Sequence, residues 1–164
     1  MIKAVIAQIE ASIAVKKAVL NDATLIGQIE ALAVRCVASL KSGGEIFFAN
    51  TGESLANAQH LSAKCISCFM FDRAPLSSLV LGANNSAISA IGNGYEQVFT
   101  RELFVVAKVD DFFIPILTSG NILIAAEQAK QNGLAIVAFT GLDGGRLTNM
   151  CDCLCIPSSE TGRM

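Results

Sequence analysis

The fold is decided by Gly43-Gly44-Glu45-Ile46-Phe47-Phe48-Ala49-Asn50-Thr51-Gly52-Glu53-Ser54, which leads into a helical pattern over residues 55–69. The two glycines bound a short apolar strand, 45–49, and a polar loop follows it. Ser54 is placed to cap the helix, because its hydroxyl can accept a hydrogen bond from an N–H group of the first turn. A loop that leads from a strand into a helix N-terminus also favours negative charge, through free N–H groups and the helix dipole. The stretch therefore predicts a strand, a loop and a helix, with an anion site at the loop.

Length and composition indicate one domain that shares apolar surface with other subunits. The chain has 164 residues, enough to bury a core, and 52% of them are hydrophobic while 16% are charged. The net charge of −2 and the lack of a Lys/Arg cluster give no reason to expect nucleic-acid binding. The N-terminal residues form an amphipathic pattern instead of a signal peptide, and we expect no stretch long and apolar enough to span a membrane. These features predict a cytoplasmic protein that contacts neither nucleic acid nor membrane.

Two amphipathic helices are predicted over residues 1–42. One apolar stripe comprises Ile2, Val5, Ile6, Ile9, Ile13 and Leu20, and the other comprises Leu25, Ile29, Leu32, Cys36, Val37 and Leu40. Because both helices precede the first strand, we expect them to pack beyond the chain's own sheet, in the interface of a homodimer or homotetramer. Residues 43–164 then form the α/β core of a single domain spanning 1–164.

Strands and helices alternate through this core. Apolar runs predict strands at 45–49, 79–81, 112–117, 134–139 and 153–156, with helical patterns at 55–69, 86–91, 95–106, 122–131 and 146–150. This alternation predicts a parallel sheet covered by helices on both faces. Since ligands of such sheets bind at the carboxyl ends of the strands, the loops Asn50–Ser54, Gly82–Ser86 and Thr118–Asn121 should converge on one cleft.

Six cysteines raise the question of a metal site or a redox pair. Cys65-Ile66-Ser67-Cys68 has a CxxC spacing within a predicted helix, without a second pair of matching spacing. Cys151, Cys153 and Cys155 alternate along the last predicted strand and so share one of its faces. A zinc site would need four converging ligands, and the one histidine, His60, is not spaced to complete such a set. The favoured interpretation is reduced, buried thiols, and we predict neither metal nor cofactor.

Several segments match the motifs of a known family in one order along the chain. The loop Asn50-Thr51-Gly52-Glu53-Ser54 stands where that family has Gly-Asn-Gly-Gly-Ser, and Thr140-Gly141-Leu142-Asp143-Gly144-Gly145 matches its Thr-Gly-x-Asp-Gly-Gly loop in full. Further matches are Ala58-Gln59-His60, Ser86–Asn93, Leu117–Ile122, Pro157-Ser158 and Thr161–Arg163. The chain thereby resembles the sugar isomerase (SIS) domain family, in the branch that holds phosphoheptose isomerase and the DnaA initiator-associating protein.

The resemblance implies a flavodoxin-like three-layer sandwich with a five-stranded parallel sheet, usually in a tetramer with active sites between subunits. It also implies conversion of sedoheptulose 7-phosphate to heptose 7-phosphate, with a glutamate and a histidine moving a proton between C1 and C2 of the sugar. At the matching positions, Ser54, Thr118 and Ser119 would hold the phosphate, and Asn50 and Asn84 would contact sugar hydroxyls. The full predicted substrate-binding set is Asn50, Thr51, Gly52, Ser54, Asn84, Ser86, Thr118, Ser119 and Asn121.

The sequence departs from the family pattern at the groups that move the proton. The family glutamate falls on Lys64, which shares a helix face with His60. A protonated lysine cannot accept a proton, and it is a poor ligand for the zinc that several members bind. Loss of a positioned acid–base group costs about 10²–10⁴-fold in rate. The family's second histidine follows the segment matched by Thr161–Arg163, and the sequence ends at Met164. Two alternatives stay open: either this is a truncated form, or the protein cannot do the family chemistry.

Two hypotheses follow from these departures. In the first, the protein keeps a phosphosugar cleft with weak or absent isomerase activity, and Lys64 or His60 would have to handle the proton. In the second, it is a non-catalytic SIS scaffold that acts on a protein partner, since Ala56–His60 resembles the DnaA initiator-associating protein. Purely structural roles stay open beside both hypotheses: an interface position for His60, a helix cap for Ser54, and a simple turn for residues 118–121.

Overall fold

The computed structural model describes residues 2–52, 54–116, 120–140 and 144–155, in which helices and strands alternate. The helices are α1 (Ile2–Asn21), α2 (Ala23–Lys41), α3 (Ser54–Ile66), α4 (Asn85–Ile91), α5 (Val98–Val106) and α6 (Gly120–Gln131), with 3-10 helices at Gly92–Gln97 and Gly145–Asn149. The strands are β1 (Ile46–Ala49), β2 (Ser78–Leu81), β3 (Phe112–Pro115), β4 (Ala135–Phe139) and β5 (Cys153–Cys155).

The five strands form one parallel sheet in the order β2-β1-β3-β4-β5. β1 lies between β2 and β3, with Ala49 level with Leu81 on one side and with Pro115 on the other. The predicted five-stranded parallel sheet of a flavodoxin-like sandwich is confirmed by this order. Because the chain moves outward from β1 to β2 and then crosses back to β3, strand addition reverses direction between β1 and β3. Ligands of such sheets bind at this switch point.

Helices cover both faces of the sheet, because successive residues of a strand point to opposite faces. On one face, Phe47 and Phe113 are fully buried against α5 and α6. On the other face, Phe48 and Ile114 pack with Leu32 of α2 and with α3. Burial on both faces is the physical reason that the strands are continuous apolar runs in the sequence.

The two N-terminal helices differ in how much of their apolar surface the chain itself covers. Asp22 separates them and caps α2, since its Oδ1 accepts a hydrogen bond from the Leu25 N–H at 2.9 Å. α2 packs against the sheet through Leu32, Cys36 and Leu40. α1 packs on α2 and contributes no buried residue. The amphipathic helices expected over 1–42 are present, and α1 leaves its apolar stripe open.

Two helix boundaries differ by three residues from the sequence prediction. α3 ends at Ile66 instead of residue 69, because the Arg73 guanidinium donates to the Lys64 carbonyl at 2.5 Å and Met70 turns the chain with a positive φ of 65°. The helix expected from residue 95 begins later, at α5. The reason is that Gly94 has a non-helical backbone within the preceding 3-10 helix. Sequence periodicity detected both helices and missed the local contacts that set their ends.

The expectation that no stretch is long and apolar enough to cross a membrane is wrong for α2. This helix of 19 residues meets that description by length and composition. In the fold it lies against the sheet, where Arg35 stands over the Phe112 ring at 5.4 Å from its centroid and the Ser39 hydroxyl donates to the Asp110 carbonyl at 2.8 Å. Part of its apolar surface, including Leu32, therefore serves the packing of the second sheet face.

Candidate functional site

The carboxyl ends of β1, β2 and β3 lie side by side at one edge of the sheet. Ala49, Leu81 and Pro115 are level with one another, so the loops that follow β1 and β2 leave from adjacent points. The loop after β3 begins at Ile116, whose N–H donates to the Ala49 carbonyl at 3.1 Å. Neighbouring strands are about 5 Å apart. The three loops predicted to share a cleft therefore start from one short segment of the sheet edge.

Asn50 ties the exits of β1 and β3 together at the switch point. It is 2% exposed, its Nδ2 group donates to the Ile116 carbonyl, and its Oδ1 accepts from the Thr51 N–H at 2.6 Å. Burying an amide is costly unless both of its ends are hydrogen-bonded, and these two bonds meet that requirement. The side chain therefore shapes the loop that leads into α3, while its contact with a sugar hydroxyl stays a prediction.

The loop into α3 leaves open space beside the first turn of that helix. Gly52 has a positive φ of 60°, and among the described residues other than its chain neighbours no atom lies within 4 Å of the position that a Cβ would take. α3 begins at Ser54, the residue predicted to cap it, and the cap itself stays a prediction. Glu53 lies outside the described residues. Thr51 and Ser54 are half-buried. An open helix start of this kind can hold an anion on its N–H groups.

Two residues of α5 contact the loop after β2 and fix its position. The Gly82 N–H donates to Glu102 Oε2 at 2.6 Å, and a Cβ at Gly82 would stand 2.7 Å from Cε1 of Phe99. Asn84 caps α4, since its Oδ1 accepts from the Ala87 N–H at 3.1 Å. Sequence reasoning missed Glu102, because a single carboxylate on a helix carries no pattern that reveals a backbone partner twenty residues away.

Ser86 and Asn121 complete the predicted sugar-binding residues that the structure describes. Ser86 is exposed on α4, and its carbonyl accepts from the Ser89 hydroxyl at 2.9 Å. Asn121, in the first turn of α6, donates from Nδ2 to the Tyr95 carbonyl at 3.2 Å and so links α6 to the 3-10 helix before α5. The predicted phosphate-binding residues Thr118 and Ser119, like the matched segments 141–143 and 157–163, lie outside the described residues.

His60 and Lys64 stand on the outer side of α3, away from the buried Ala58 and Ser62. His60 is exposed. Lys64 is half-buried, with Nζ 5.6 Å from the centroid of the Phe69 ring. With a rise of 1.5 Å per residue, these two positions lie about 9 and 15 Å along the helix from its start. A ligand that touches both the α3 N-terminus and this face must therefore lie along the outer surface of the helix.

Zinc is implied by the family resemblance, but the residues present do not fit it. Of the pair on the outer face of α3, His60 offers one imidazole, while the ammonium group of Lys64 has no lone pair to donate. Within the described ranges, no three His, Cys, Asp or Glu side chains come close enough together to hold a metal ion. No chemical step is therefore assigned to zinc in this chain.

The cysteines described with their side chains form no disulfide with one another. Cys36, Cys65 and Cys151 are half-buried, whereas Cys68 is exposed, so the expected burial is wrong for Cys68. The reason is the early end of α3, which leaves Cys68 beyond the helix. Burial raises the pKa of the Cys65 thiol, and the nearby Arg73 charge and a hydrogen bond with Ser78 oppose that rise.

Two cavities of the described surface lie away from the outer face of α3. One, of about 680 Å³, is enclosed by β2, α4 and α5 and includes Asn84 in its lining. The other, of about 730 Å³, lies at the opposite end of the strands between α2 and the start of β3 and β4, near Arg35, Asp110 and Lys130. Neither cavity includes His60 or Lys64 in its lining.

Comparison with known families covers most of the chain. Residues 9–141 match the model of the SIS domain family, and the chain belongs to that family. Within it, the chain is 41% identical to a phosphoheptose isomerase of Aneurinibacillus thermoaerophilus over 162 residues, which cover 95% of this chain and 82% of the relative. The resemblance inferred from the sequence motifs is thereby confirmed.

Solved structures give the same assignment. A phosphoheptose isomerase from Francisella tularensis superposes with a TM-score of 0.88 at 30% identity, over 98% of this chain and 87% of that one. A phosphoheptose isomerase from Neisseria gonorrhoeae superposes with a TM-score of 0.83 at 29% identity, over 98% of this chain and 88% of that one.

Proposed function

We propose that this protein binds a sugar phosphate such as sedoheptulose 7-phosphate, and that it converts this ligand to heptose 7-phosphate weakly or not at all. The observation that carries the proposal is the level register of β1, β2 and β3, with the buried Asn50 bridging the switch point. This register supports a single cleft at the carboxyl edge of the sheet. The similarity to proteins named phosphoheptose isomerase supports the substrate class and the reaction type.

In the proposed complex the phosphate lies at the start of α3. Ser54 and the residues Thr118 and Ser119 hold it, and the sugar hydroxyls reach toward Asn84 and the other loop residues. The sugar chain then runs along the outer side of α3 toward His60. This placement agrees with the open space beside Gly52 and with the exposure of the α3 face.

Weak turnover follows from the charge on that face. Proton transfer between C1 and C2 needs a base, and the position of the family's glutamate is matched here by Lys64, whose Nζ lies 5.6 Å from the centroid of the Phe69 ring. A protonated lysine cannot accept a proton. Among the residues that the structure describes, no carboxylate forms an ion pair with Lys64 that could take over the proton. A missing base lowers the rate by about 10²–10⁴-fold.

The proposed assembly is a cytoplasmic homotetramer or homodimer of single SIS domains, without nucleic acid or membrane contacts. Residues 1–42 form its interface and residues 43–164 its core. The support for this part is the apolar stripe on α1, which the chain itself does not bury. A surface of that kind usually marks a site of protein association.

The first experiment is a melting titration with sedoheptulose 7-phosphate, followed by an assay for heptose 7-phosphate. At a concentration one hundred times the dissociation constant, we expect about 2.7 kcal/mol of added stability. Thr118→Ala and Ser119→Ala should each weaken binding about tenfold or more, since a hydrogen bond to a charged group contributes about 1.5–3 kcal/mol. A melting temperature that does not respond to millimolar sugar phosphate would refute the proposal.

The second experiment tests the proton-handling group. Lys64→Glu should raise turnover at least tenfold, because it places a carboxylate on the helix face beside His60. Lys130→Glu, the same charge reversal on the exposed side of α6, is the matched control and should leave turnover unchanged. Wild-type turnover equal to that of the relatives named above would contradict the proposed loss of activity.

A non-catalytic scaffold is the second candidate, and the turn after α3 favours it. Phe69, Met70 and Phe71 are consecutive and exposed, with Met70 88% exposed at its positive φ. Three adjacent exposed apolar side chains of this size are typical of a protein contact. A specific protein partner that Met70→Asp abolishes, together with no response to sugar phosphate, would favour this candidate over the first.

A further inference from the structure

The cavity beside β2 has the size and shape of a small-molecule site. Its volume is about 680 Å³, within the roughly 300–1,000 Å³ common for such sites. β2 is an edge strand, so the cavity opens at the side of the sheet and not at the switch point. Its only shared residue with the predicted sugar-binding set is Asn84.

The walls of this cavity are mainly apolar. Leu79 and Val80 of β2 form one side, Ala87 and Ile91 of α4 the second, and Val98 and Val106 of α5 the third. Small side chains on α4 leave the space that larger ones would fill. An occupant therefore needs an apolar part, because displacing water from apolar walls with an apolar group is favourable.

The two charged residues of the lining differ in what they are free to bind. Glu102 is engaged, because its Oε2 accepts from the Gly82 N–H at 2.6 Å. Arg101 is exposed beside it, and its guanidinium makes no hydrogen bond or ion pair with any part of the chain that the structure describes. Glu102 keeps its negative charge, so the group free to pair with an occupant is the Arg101 guanidinium, which pairs best with a carboxylate, through two parallel hydrogen bonds.

We propose that this cavity is a binding site for an amphipathic carboxylate, a short apolar chain that ends in one carboxylate group. The apolar chain lies between β2, α4 and α5, and the carboxylate pairs with Arg101. The site stands on its own geometry and does not depend on sugar phosphate binding. It touches the loop that carries Asn84 from the side opposite the switch point.

The test is calorimetric titration of the full chain with octanoate, in the absence of sugar phosphate. We expect saturable binding of octanoate, with octanol and acetate at least tenfold weaker, because one lacks the charge and the other the apolar chain. Arg101→Gln should weaken octanoate at least tenfold, and Ala90→Glu should do the same by placing a negative charge in the lining. Arg146→Gln and Ala63→Glu make the same changes outside the cavity and should bind octanoate like the wild type.

Three results would overturn the proposal. Equal binding of octanoate and octanol would remove the role of the carboxylate, and an Arg101→Gln variant with wild-type affinity would remove the role of the guanidinium. Absence of octanoate binding, with a smaller particle mass for Ala90→Glu, would show that a second copy of the chain covers the cavity. Since sugar phosphate is absent from these titrations, their failure and the failure of the proposed function are separate results.

Discussion

Large apolar side chains are buried in the sheet and exposed on the first helix, α1. Phe113 at the centre of the sheet has no exposed surface, whereas Ile9 in the apolar stripe of α1 is 56% exposed. Both lie in regular, clearly periodic elements. The comparison shows that an amphipathic pattern identifies the face that seeks burial, but not the surface that will cover it.

The difference has a physical origin in what each element can reach. A strand in the middle of a parallel sheet has helices on both faces within its own chain. Within the part of the chain that the structure describes, α1 packs on α2 and buries none of its own residues, while Leu32 of α2 is buried against the sheet. Apolar surface left in water costs about 25 cal/mol per Å² relative to burial, so covering the stripe on α1 would be favourable, and a second copy of the chain is the cover proposed above.

The largest effect should come from emptying the centre of the sheet. Phe113→Ala removes a fully buried ring and is expected to lower the free energy of unfolding by about 3–5 kcal/mol. Phe104→Ala removes the same ring from an exposed position on α5 and should cost about 0.5 kcal/mol or less. Denaturant unfolding of both variants measures the difference. Similar losses would mean that Phe104 is covered in the assembled protein.

A charge in the apolar stripe of α1 should act on assembly and not on the fold. Ile6→Asp combined with Ile9→Asp should weaken self-association about a hundredfold, or about 2.7 kcal/mol, because the interface would bury unpaired carboxylates. Ala11→Asp lies on the opposite side of the helix and is the control. Light scattering over a dilution series measures the change. A wild-type chain that is already monomeric would remove the proposed use of α1.

Alanine substitutions at two glycines in the loops at the sheet edge should distinguish the stability cost of backbone strain from that of steric contact. Gly82→Ala combines a positive φ of 76° with a Cβ 2.7 Å from the Phe99 ring, and should cost about 2–3 kcal/mol. Gly52→Ala has a positive φ in open space and should cost about 1 kcal/mol. Thermal unfolding gives both values. Equal costs would show that Phe99 can yield, and that α5 does not hold the loop rigidly.

The smallest effect on stability is expected at Cys65, whose side chain is half-buried. Its thiol has a pKa raised by burial, so the folded chain favours the neutral form. The resulting stability is complete below the pKa of about 8.5 of an unfolded thiol, and it is lost as the pH rises through the higher folded pKa. The stability difference between wild type and Cys65→Ala should shrink over that range. A difference that stays constant with pH would contradict the burial of this thiol.

Most of the fold could be predicted from local patterns. Apolar runs such as 45–49 and 112–117 located the strands, and their alternation with helices predicted the parallel sheet. The ends of α3 and α5 were misplaced, because Arg73 and Gly94 act through geometry that periodicity does not contain. α2 shows the same limit, since its composition fits a membrane span while its contacts fit a sheet.

The candidate site was predicted only in part, because local patterns do not contain the contacts between distant residues. Motif matches identified the loops at the sheet edge, and the register of the strands brings the starts of those loops together. The motif matches did not reveal that Asn50 donates a hydrogen bond to the Ile116 carbonyl, or that Glu102 accepts one from the Gly82 N–H. Nor did they reveal the Phe69 ring against Lys64, because that contact depends on where α3 ends.

The sequence by itself determined the family and the order of the strands and helices, since both are properties of residue types and spacing. The tertiary structure decided which polar groups remain free at the sheet edge, where the outer face of α3 points, and that a separate cavity lies beside β2. Those features depend on distances between residues far apart in the chain, which packing sets and local patterns do not encode.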